Sequence, residues 1–304
     1  MLDVSNPTAA ASPGARLGSD QPLVSIGLPV FNGAHFLSAS LESLLGQTYR
    51  NIELLVSDNA STDSTGEICR RYAAVDARLR YSRLPSNIGG VPNHNHVFSQ
   101  AAGAYFMWAS HDDVWSTSYI EQCVARLSED PAAVLAYSKM GIIDESGQVQ
   151  RLLKVSHRAG SGNAAERFGE FTELYSILEP GYGLIRTEVL RKTRLLPPHP
   201  GNDRLLLAEL ALHGRFVQVP EYLFMRRDHG QRSVKVYPRI RERYAWVAPS
   251  YAGRRMFPHW AYLRGYASAI RRAPITLREK LRCGTVLLKW IRHNAGDLVD
   301  DFRP

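Results

Sequence analysis

The chain has few cysteines, no long apolar run and none of the glycine signatures of the common nucleotide cofactors. Its three cysteines (Cys69, Cys123 and Cys283) show no CxxC spacing. That excludes a disulfide framework or a zinc site as an organising element and points to buried or free thiols in a reducing compartment. No stretch approaches the roughly 20 apolar residues that cross a bilayer. The first twenty residues are rich in Ala, Ser, Pro and Gly and lack an apolar h-region, so they read as a loose tail and the expected location is the cytoplasm. GxGxxG is missing after the first strand-like segment, which argues against a dinucleotide cofactor, and the lack of GxxxxGK[ST] removes P-loop chemistry.

What is present is an ordinary globular composition. Hydrophobic residues make up 44% and charged residues 22% of 304 positions, enough for one large domain or a domain with an appendage. The charge is unevenly spread. From Met225 onward there are 18 Lys and Arg against 6 Asp and Glu, whereas the first 224 residues hold 19 against 23. The C-terminal part therefore suits an acidic partner (anionic lipid, nucleic acid or an anionic substrate), or is simply a solvated basic surface.

Along the chain, strand-like runs at 23–30, 51–56 and 79–84 alternate with helical spacing at 35–45, from Ser61 or Thr62 to about Tyr72, and through Val97 and Phe98. This alternation predicts βαβ units and a parallel sheet, a Rossmann-like half. Beyond Leu135 the pattern predicts short strands at 134–137, 141–144 and 149–153, with a hairpin signal at Glu145, Ser146 and Gly147. A Gly/Ser-rich loop follows at 156–163, then a strand at 181–185, an amphipathic helix at 203–213, and strands at 217–219 and 222–225. From Arg239 the reading is helical, with long segments at 260–272 and 277–293.

The segment 103–115 reads GAYFMWASHDDVW, an apolar run that stops at Asp112 and Asp113. An uncharged, aromatic-rich run of this length predicts a fully buried strand, and open α/β sheets bind ligands at the carboxyl ends of their strands. Two carboxylates there suit a hard divalent cation that also takes phosphate oxygens. The alternative is a pair that caps the following helix.

The order of five motifs resembles the family 2 glycosyltransferases. VSIGLPVFNG at 24–33 is similar to the family's opening strand and turn, and LESLLGQTYRNIELLVSDNASTD at 41–63 follows its next pattern closely. NIG at 87–89 matches an N-x-G turn. ASHDD at 109–113 falls where the family carries D-x-D-D, and RDHG at 227–230 resembles a late R-x-H motif. The resemblance is strong over about 22–130, weaker to 235 and faint beyond.

It implies a GT-A fold: a Rossmann-like nucleotide-binding half (22–130) and an acceptor half (131–235) around a mixed central sheet. A flexible tail (1–21) precedes this, and a basic helical extension (236–304) follows. It also implies an inverting transferase that takes a nucleoside-diphosphate sugar, UDP or dTDP favoured and GDP allowed, with Mn²⁺ or Mg²⁺. The acceptor is a hydroxyl in cell-surface polysaccharide, glycolipid or secondary-metabolite synthesis. On the resemblance, Pro29, Phe31, Asn32 and Asn87 wall the nucleotide site, and Asp58 accepts the imide N–H of the base; its alternative is an Asx-turn. Ser110 stands where many members have the Asp that holds the ribose. Asp112 and Asp113 anchor the metal, and His229 reaches the metal or diphosphate, with Arg226, Arg227 and Arg232 as other phosphate partners. Asp203, preceded by Asn202 where the family has Glu, is the general base or an ordinary helix cap.

Leu277, Leu281, Leu288 and Ile291 make an apolar stripe flanked by Arg278, Lys280, Arg282, Lys289 and Arg292. This predicts docking of the stripe on the catalytic domain or in a homodimer, with peripheral contact at the inner face of a membrane as the other option. No nucleic-acid motif supports that partner. Two competing readings are a catalytically weakened nucleotide-sugar-binding protein, suggested by Ser110 and Asn202, and a nucleotidyltransferase, which lacks its usual glycine-rich loop here.

Overall fold

A computed structural model describes residues 21–155, 157–172, 179–237, 240–251 and 254–303. Nearly all of the tail expected at 1–21, Ser156 and Arg239 lie outside the described residues. Nine strands form one sheet: β1 (Val24–Val30), β2 (Ile52–Asp58), β3 (Leu79–Arg83), β4 (Tyr105–Trp108), β5 (Val114–Trp115), β6 (Ala133–Ile143), β7 (Val149–Leu152), β8 (Leu184–Arg186) and β9 (Arg215–Arg227). The order across the sheet is β3-β2-β1-β4-β8-β6-β9-β5, with β7 pairing β6. Strands β3, β2, β1 and β4 run parallel, β8 is antiparallel to both neighbours, and β6 and β9 are parallel. The sheet is mixed, as expected.

Helices α1 (Ala34–Leu45), α2 (Thr65–Val75), α3 (Gly90–Ser99) and α4 (Tyr119–Glu129) belong to the N-terminal half. They are followed by α5 (Ala164–Thr172), α6 (Thr187–Leu190), α7 (Asn202–His213), α8 (Ser233–Val236), α9 (Ile240–Val247), α10 (Pro258–Arg272), α11 (Leu277–His293) and α12 (Ala295–Asp300). Strand residues alternate between two apolar clusters. Leu54 and Val56 enter one and Leu55 the other; Tyr105 and Met107 divide from Phe106 and Trp108 in the same way. This is the period of two that a sheet covered on both faces requires.

Several elements differ from expectation. The buried strand expected before Asp112 is β4, but it ends at Trp108, and the chain turns through Ser110–Asp113 before the two-residue β5 pairs with β9. The short strands expected at 134–137 and 141–144 are one strand, β6, and those at 217–219 and 222–225 are one strand, β9. Their mutual register slips near Ser138 and Lys139, opposite Val219 and Tyr222. Pro220 and Glu221 bulge there, which is where a strand tolerates a proline. The strand expected at 181–185 begins only at Leu184, after a 3-10 turn over Glu179–Tyr182.

Helix α7 is not amphipathic, being buried continuously from Arg204 to Leu212. Helices α5 and α10 cover the side that the local pattern assigns to solvent, and Glu209 is paired there with Arg272 and Arg194. Gly201 precedes it with φ +79°, and a Cβ there would run into the Tyr262 hydroxyl.

The leucines of the stripe do not dock α11 on the catalytic domain. Leu277, Leu281 and Leu288 are exposed, while Cys283, Leu287 and Trp290 enter the core and Ile291 packs at its edge. Among the described residues no helix is long and apolar enough to cross a membrane.

Candidate functional site

The parallel registers align Val30 with Asp58 and Gly27 with Trp108. The loops after β1, β2 and β4 therefore emerge together at the carboxyl edge of the sheet. They border a cleft of about 670 Å³, within the usual size of small-molecule sites. Its lining includes Pro29, Phe31, Asn32 and Asn87, and, facing them, Ser110, Asp112, Asp113 and His229. Two sequence candidates, Asp58 and Asp203, are not among the lining residues.

The nucleotide-side wall is fixed by side chains that tie one loop to the next. Asn32 holds φ +50°, a left-handed conformation uncommon outside glycine. Its N–H donates to Ser61 Oγ at 2.9 Å and its Oδ1 accepts the Thr62 N–H at 2.8 Å. Asp63 joins two helix starts, accepting from the N–H of Ala34 at 3.1 Å and of Thr65 at 3.0 Å. Burial opposes its charge, yet these hydrogen bonds hold its carboxyl below the ordinary value. Neither Ser61 nor Thr62 caps the helix: its N-cap is Ser64, which makes no side-chain cap hydrogen bond, Asp63 takes the Thr65 N–H, and Ser61 serves Asn32.

Asp58 is fully buried behind this wall. Its Oδ1 accepts the Ser61 N–H at 2.8 Å, and its Oδ2 accepts the Tyr81 hydroxyl at 2.8 Å with Arg83 at 3.7 Å. The next residue, Asn59, does line the cleft. Its amide donates to Asn87 Oδ1 and the Gly89 carbonyl, and its Oδ1 accepts the Ile88 N–H at 2.9 Å. The turn 87–90 is thereby clamped to the end of β2. Sequence reasoning passed over Asn59, whose one visible signal is its place directly after Asp58.

The opposite wall is acidic and tightly hydrogen-bonded. Ser110 Oγ stands 2.5 Å from Asp112 Oδ1 and 2.8 Å from Asp113 Oδ2. With one proton it can donate to only one of them at a time. Asp113 is buried, and its Oδ1 also accepts the Arg227 N–H at 2.8 Å. Burial first, and Asp112 second, push the Asp113 carboxyl up to about 7. Asp112 goes the other way: burial opposes its charge, but His111, Ser110 and His229 together hold its carboxyl below the ordinary range. His229 Nε2 lies 2.8 Å from Asp112 Oδ2, with the ring resting on Phe36.

Arg227 fixes this wall from behind. Its guanidinium donates to the carbonyls of Asp112, Asp144 and Glu145 and lies over the Phe36 ring. It is thereby committed to backbone and does not line the cleft, whereas Arg226 and Arg232 do. Arg226 Nε is buried without a hydrogen-bond partner. Burial, reinforced by the nearby Arg232 charge, disfavours the charged form of Arg226.

The far end of the cleft comes from beyond residue 235, where α9 and its flanks add Tyr237, Glu242, Trp246 and Pro249. Gly89, at φ +96°, lies so close to Val247 and Pro249 that a Cβ would stand 2.7 Å from each. Asp203 occupies the first turn of α7, and its Oδ1 accepts the Arg204 N–H at 2.8 Å. The residue as a whole is exposed, while the crowding of protein around its carboxyl disfavours the charge and raises its pKa above the ordinary value against the pull of Arg204.

The sequence profile of the family described as Glycosyl transferase family 2 matches residues 25–194, more than half of the chain. The chain belongs to that family. It is 25% identical over 221 residues to an uncharacterized glycosyltransferase of Haemophilus influenzae, covering 71% of this chain and 68% of that protein. It is 36% identical over 134 residues to one from Rickettsia felis, covering 44% of this chain and 22% of the relative. The chain thus spans about a fifth of the length of that Rickettsia protein.

Among solved structures it is similar to Staphylococcus aureus TarS 1-349 in complex with UDP. The TM-score is 0.62 at 19% identity, with 90% of this chain and 72% of the other covered. It is also similar to the mannosyltransferase PcManGT of Pyrobaculum calidifontis in complex with GDP-Man and Mn²⁺. There the TM-score is 0.55 at 16% identity, covering 94% and 88%. These likenesses show that the family 2 chain has the GT-A arrangement.

Among the described residues no group of three or more His, Cys, Asp or Glu side chains is placed to hold a metal ion. The donor set does fit a cation that takes few protein ligands and completes its shell with substrate phosphate. Two cis ligands at about 2.1 Å from an octahedral ion stand about 3 Å apart, which is close to the separation of Asp112 Oδ2 and His229 Nε2. Asp113 differs in being buried, with its Oδ1 held by the Arg227 backbone N–H.

Proposed function

We propose that this family 2 protein is an inverting glycosyltransferase that moves a sugar from a nucleoside-diphosphate sugar to a hydroxyl acceptor. The observation that carries the reading is the Asp112–His229 pair in a cleft of nucleotide size that Asn32 and Asn59 also line. The complexes of TarS with UDP and of PcManGT with GDP-Man and Mn²⁺ support this class of donor and cation.

In this reading Asp112 and His229 hold Mn²⁺ or Mg²⁺, which supplies Lewis-acid stabilisation to the departing diphosphate. Ser110 and Asp113 fix the Asp112 carboxylate, and Arg227 fixes the segment that carries it. Arg226 and Arg232 meet negative charge developing on the leaving group; the unpartnered Nε of Arg226 is satisfied when an anion arrives. Pro29, Phe31, Asn32, Asn59 and Asn87 surround the nucleoside, and Asp58 shapes that wall from behind.

Asp203 takes the proton of the acceptor hydroxyl as its oxygen attacks the anomeric carbon on the face opposite the diphosphate. A carboxyl raised by its surroundings is the better base at neutral pH. Glu242 is the rival for this role, because it lines the cleft and Asp203 does not.

The test is a melting-temperature panel of UDP, dTDP and GDP with and without Mn²⁺, followed by donor turnover. A Mn²⁺-dependent shift for one base, lost in Asp112→Ala, with turnover of the matching sugar donor, supports the reading. Binding without turnover indicates a nucleotide-sugar-binding protein instead. Neither binding nor turnover overturns both.

A further inference from the structure

We propose that the exposed face of α11 is a docking surface for an anionic lipid bilayer. The helix has three longitudinal faces. Cys283, Leu287 and Trp290 are buried against α5 and α10, which accounts for the packing of the helix on the protein. Leu277, Leu281 and Leu288 form a second face that this packing leaves untouched, at 74%, 67% and 62% exposure. Arg278, Arg282 and Lys289 each follow one of these leucines by one position and, with Arg292, make a basic row alongside them.

Four basic side chains in the row face a single nearby acid, Glu279, whose charge is felt by Arg282 without a contact ion pair. Among the described residues none of its four members lies within ion-pair distance of a carboxylate. The acid on the same helix, Glu279, is occupied in a capping box with Thr276. An apolar ridge beside a row of net positive charge matches a surface that offers both hydrocarbon and negative charge, which is an anionic bilayer interface. A second copy of this chain laid antiparallel is a poor occupant. Antiparallel two-fold pairing through the leucines brings both basic rows to the same side of the seam, like against like. Nucleic acid would meet the charges but leave the three leucines in water.

The experiment uses the full chain in sedimentation with vesicles of phosphatidylglycerol and phosphatidylcholine, and with phosphatidylcholine alone. The expected result is binding to the anionic vesicles only, weakened by salt. It should fall on the order of tenfold or more in Leu281→Ser/Leu288→Ser and in Arg282→Glu/Lys289→Glu. Because all four side chains are exposed, both variants should keep the wild-type melting temperature, which separates lost docking from lost folding. Failure to bind anionic vesicles at low salt overturns the proposal. So does full binding by the leucine variant, which reduces the surface to simple charge attraction. A dimer in sedimentation equilibrium that the leucine variant disperses also overturns it.

Discussion

The imidazole of His229 and the carboxylate of Asp112 meet at 2.8 Å although 117 positions separate them in the chain. If they share a cation, neither suffices alone. Asp112→Asn and His229→Ala should each lower transfer on the order of a hundredfold or more and raise the Mn²⁺ concentration needed for half-maximal rate. Metal titration of initial rates checks this, and unchanged metal dependence in both variants would remove the pair from the site.

For proton removal, Asp203→Asn should lower turnover by roughly a hundredfold to ten-thousandfold while leaving the nucleotide-induced melting shift intact. Glu242→Gln should cost little. The reverse ranking in steady-state kinetics would move the base from α7 to α9.

The turn at 87–90 depends on Gly89 in two ways: its positive φ, and the absence of a Cβ between it and the 247–249 segment. Gly89→Ala should displace α9 from the nucleotide wall and raise the donor KM more than it lowers kcat. A variant with wild-type kinetics would show that the close approach has no bearing on the cleft.

Stability should depend on pH through His157, which sits between Glu170 at 2.9 Å and Glu179 at 3.2 Å. Burial disfavours the charged ring, but the two carboxylates outweigh it and raise its pKa from 6.5 to about 9. Burial also opposes charge on Glu170, yet His157 and Arg158 lower its pKa from 4.5 to about 2. The His157 contribution is therefore complete below pH 6.5 and lost as pH rises through about 9. That of Glu170 is complete above pH 4.5 and lost as pH falls through about 2. Denaturant melts should show a decline from pH 6.5 to 9 of at most about 3 kcal/mol, and His157→Gln should flatten it.

The N-terminal half was legible because each element carries its own periodicity and the motif residues lie at strand ends, where register brings them together. Elements that depend on distant packing were not. Nothing within 203–213 tells that α10 and α5 will cover its outer side, and the leucines of α11 looked like a docking face because they are strongly apolar and recur at helical spacing, whereas the face that docks includes a cysteine and a tryptophan. Ser138, Lys139, Pro220 and Glu221 interrupt the apolar pattern and split two long strands into four. In the site, Asp112 and His229 were visible and are in contact, and Pro29, Phe31, Asn32 and Asn87 share one wall. Arg226 and Arg232, named from the sequence, line the cleft, whereas Asn59 and the α9 contribution emerge only from three-dimensional placement.

The long parallel pairing of β6 with β9 also bears on how the protein folds. It joins segments roughly eighty residues apart, so the loop-closure entropy must be met before the pairing gives anything back. His229 follows directly on the end of β9. A chain emerging from the ribosome thus presents Asp112 well before its partner exists, and the cleft is completed only when residues 117 positions apart meet.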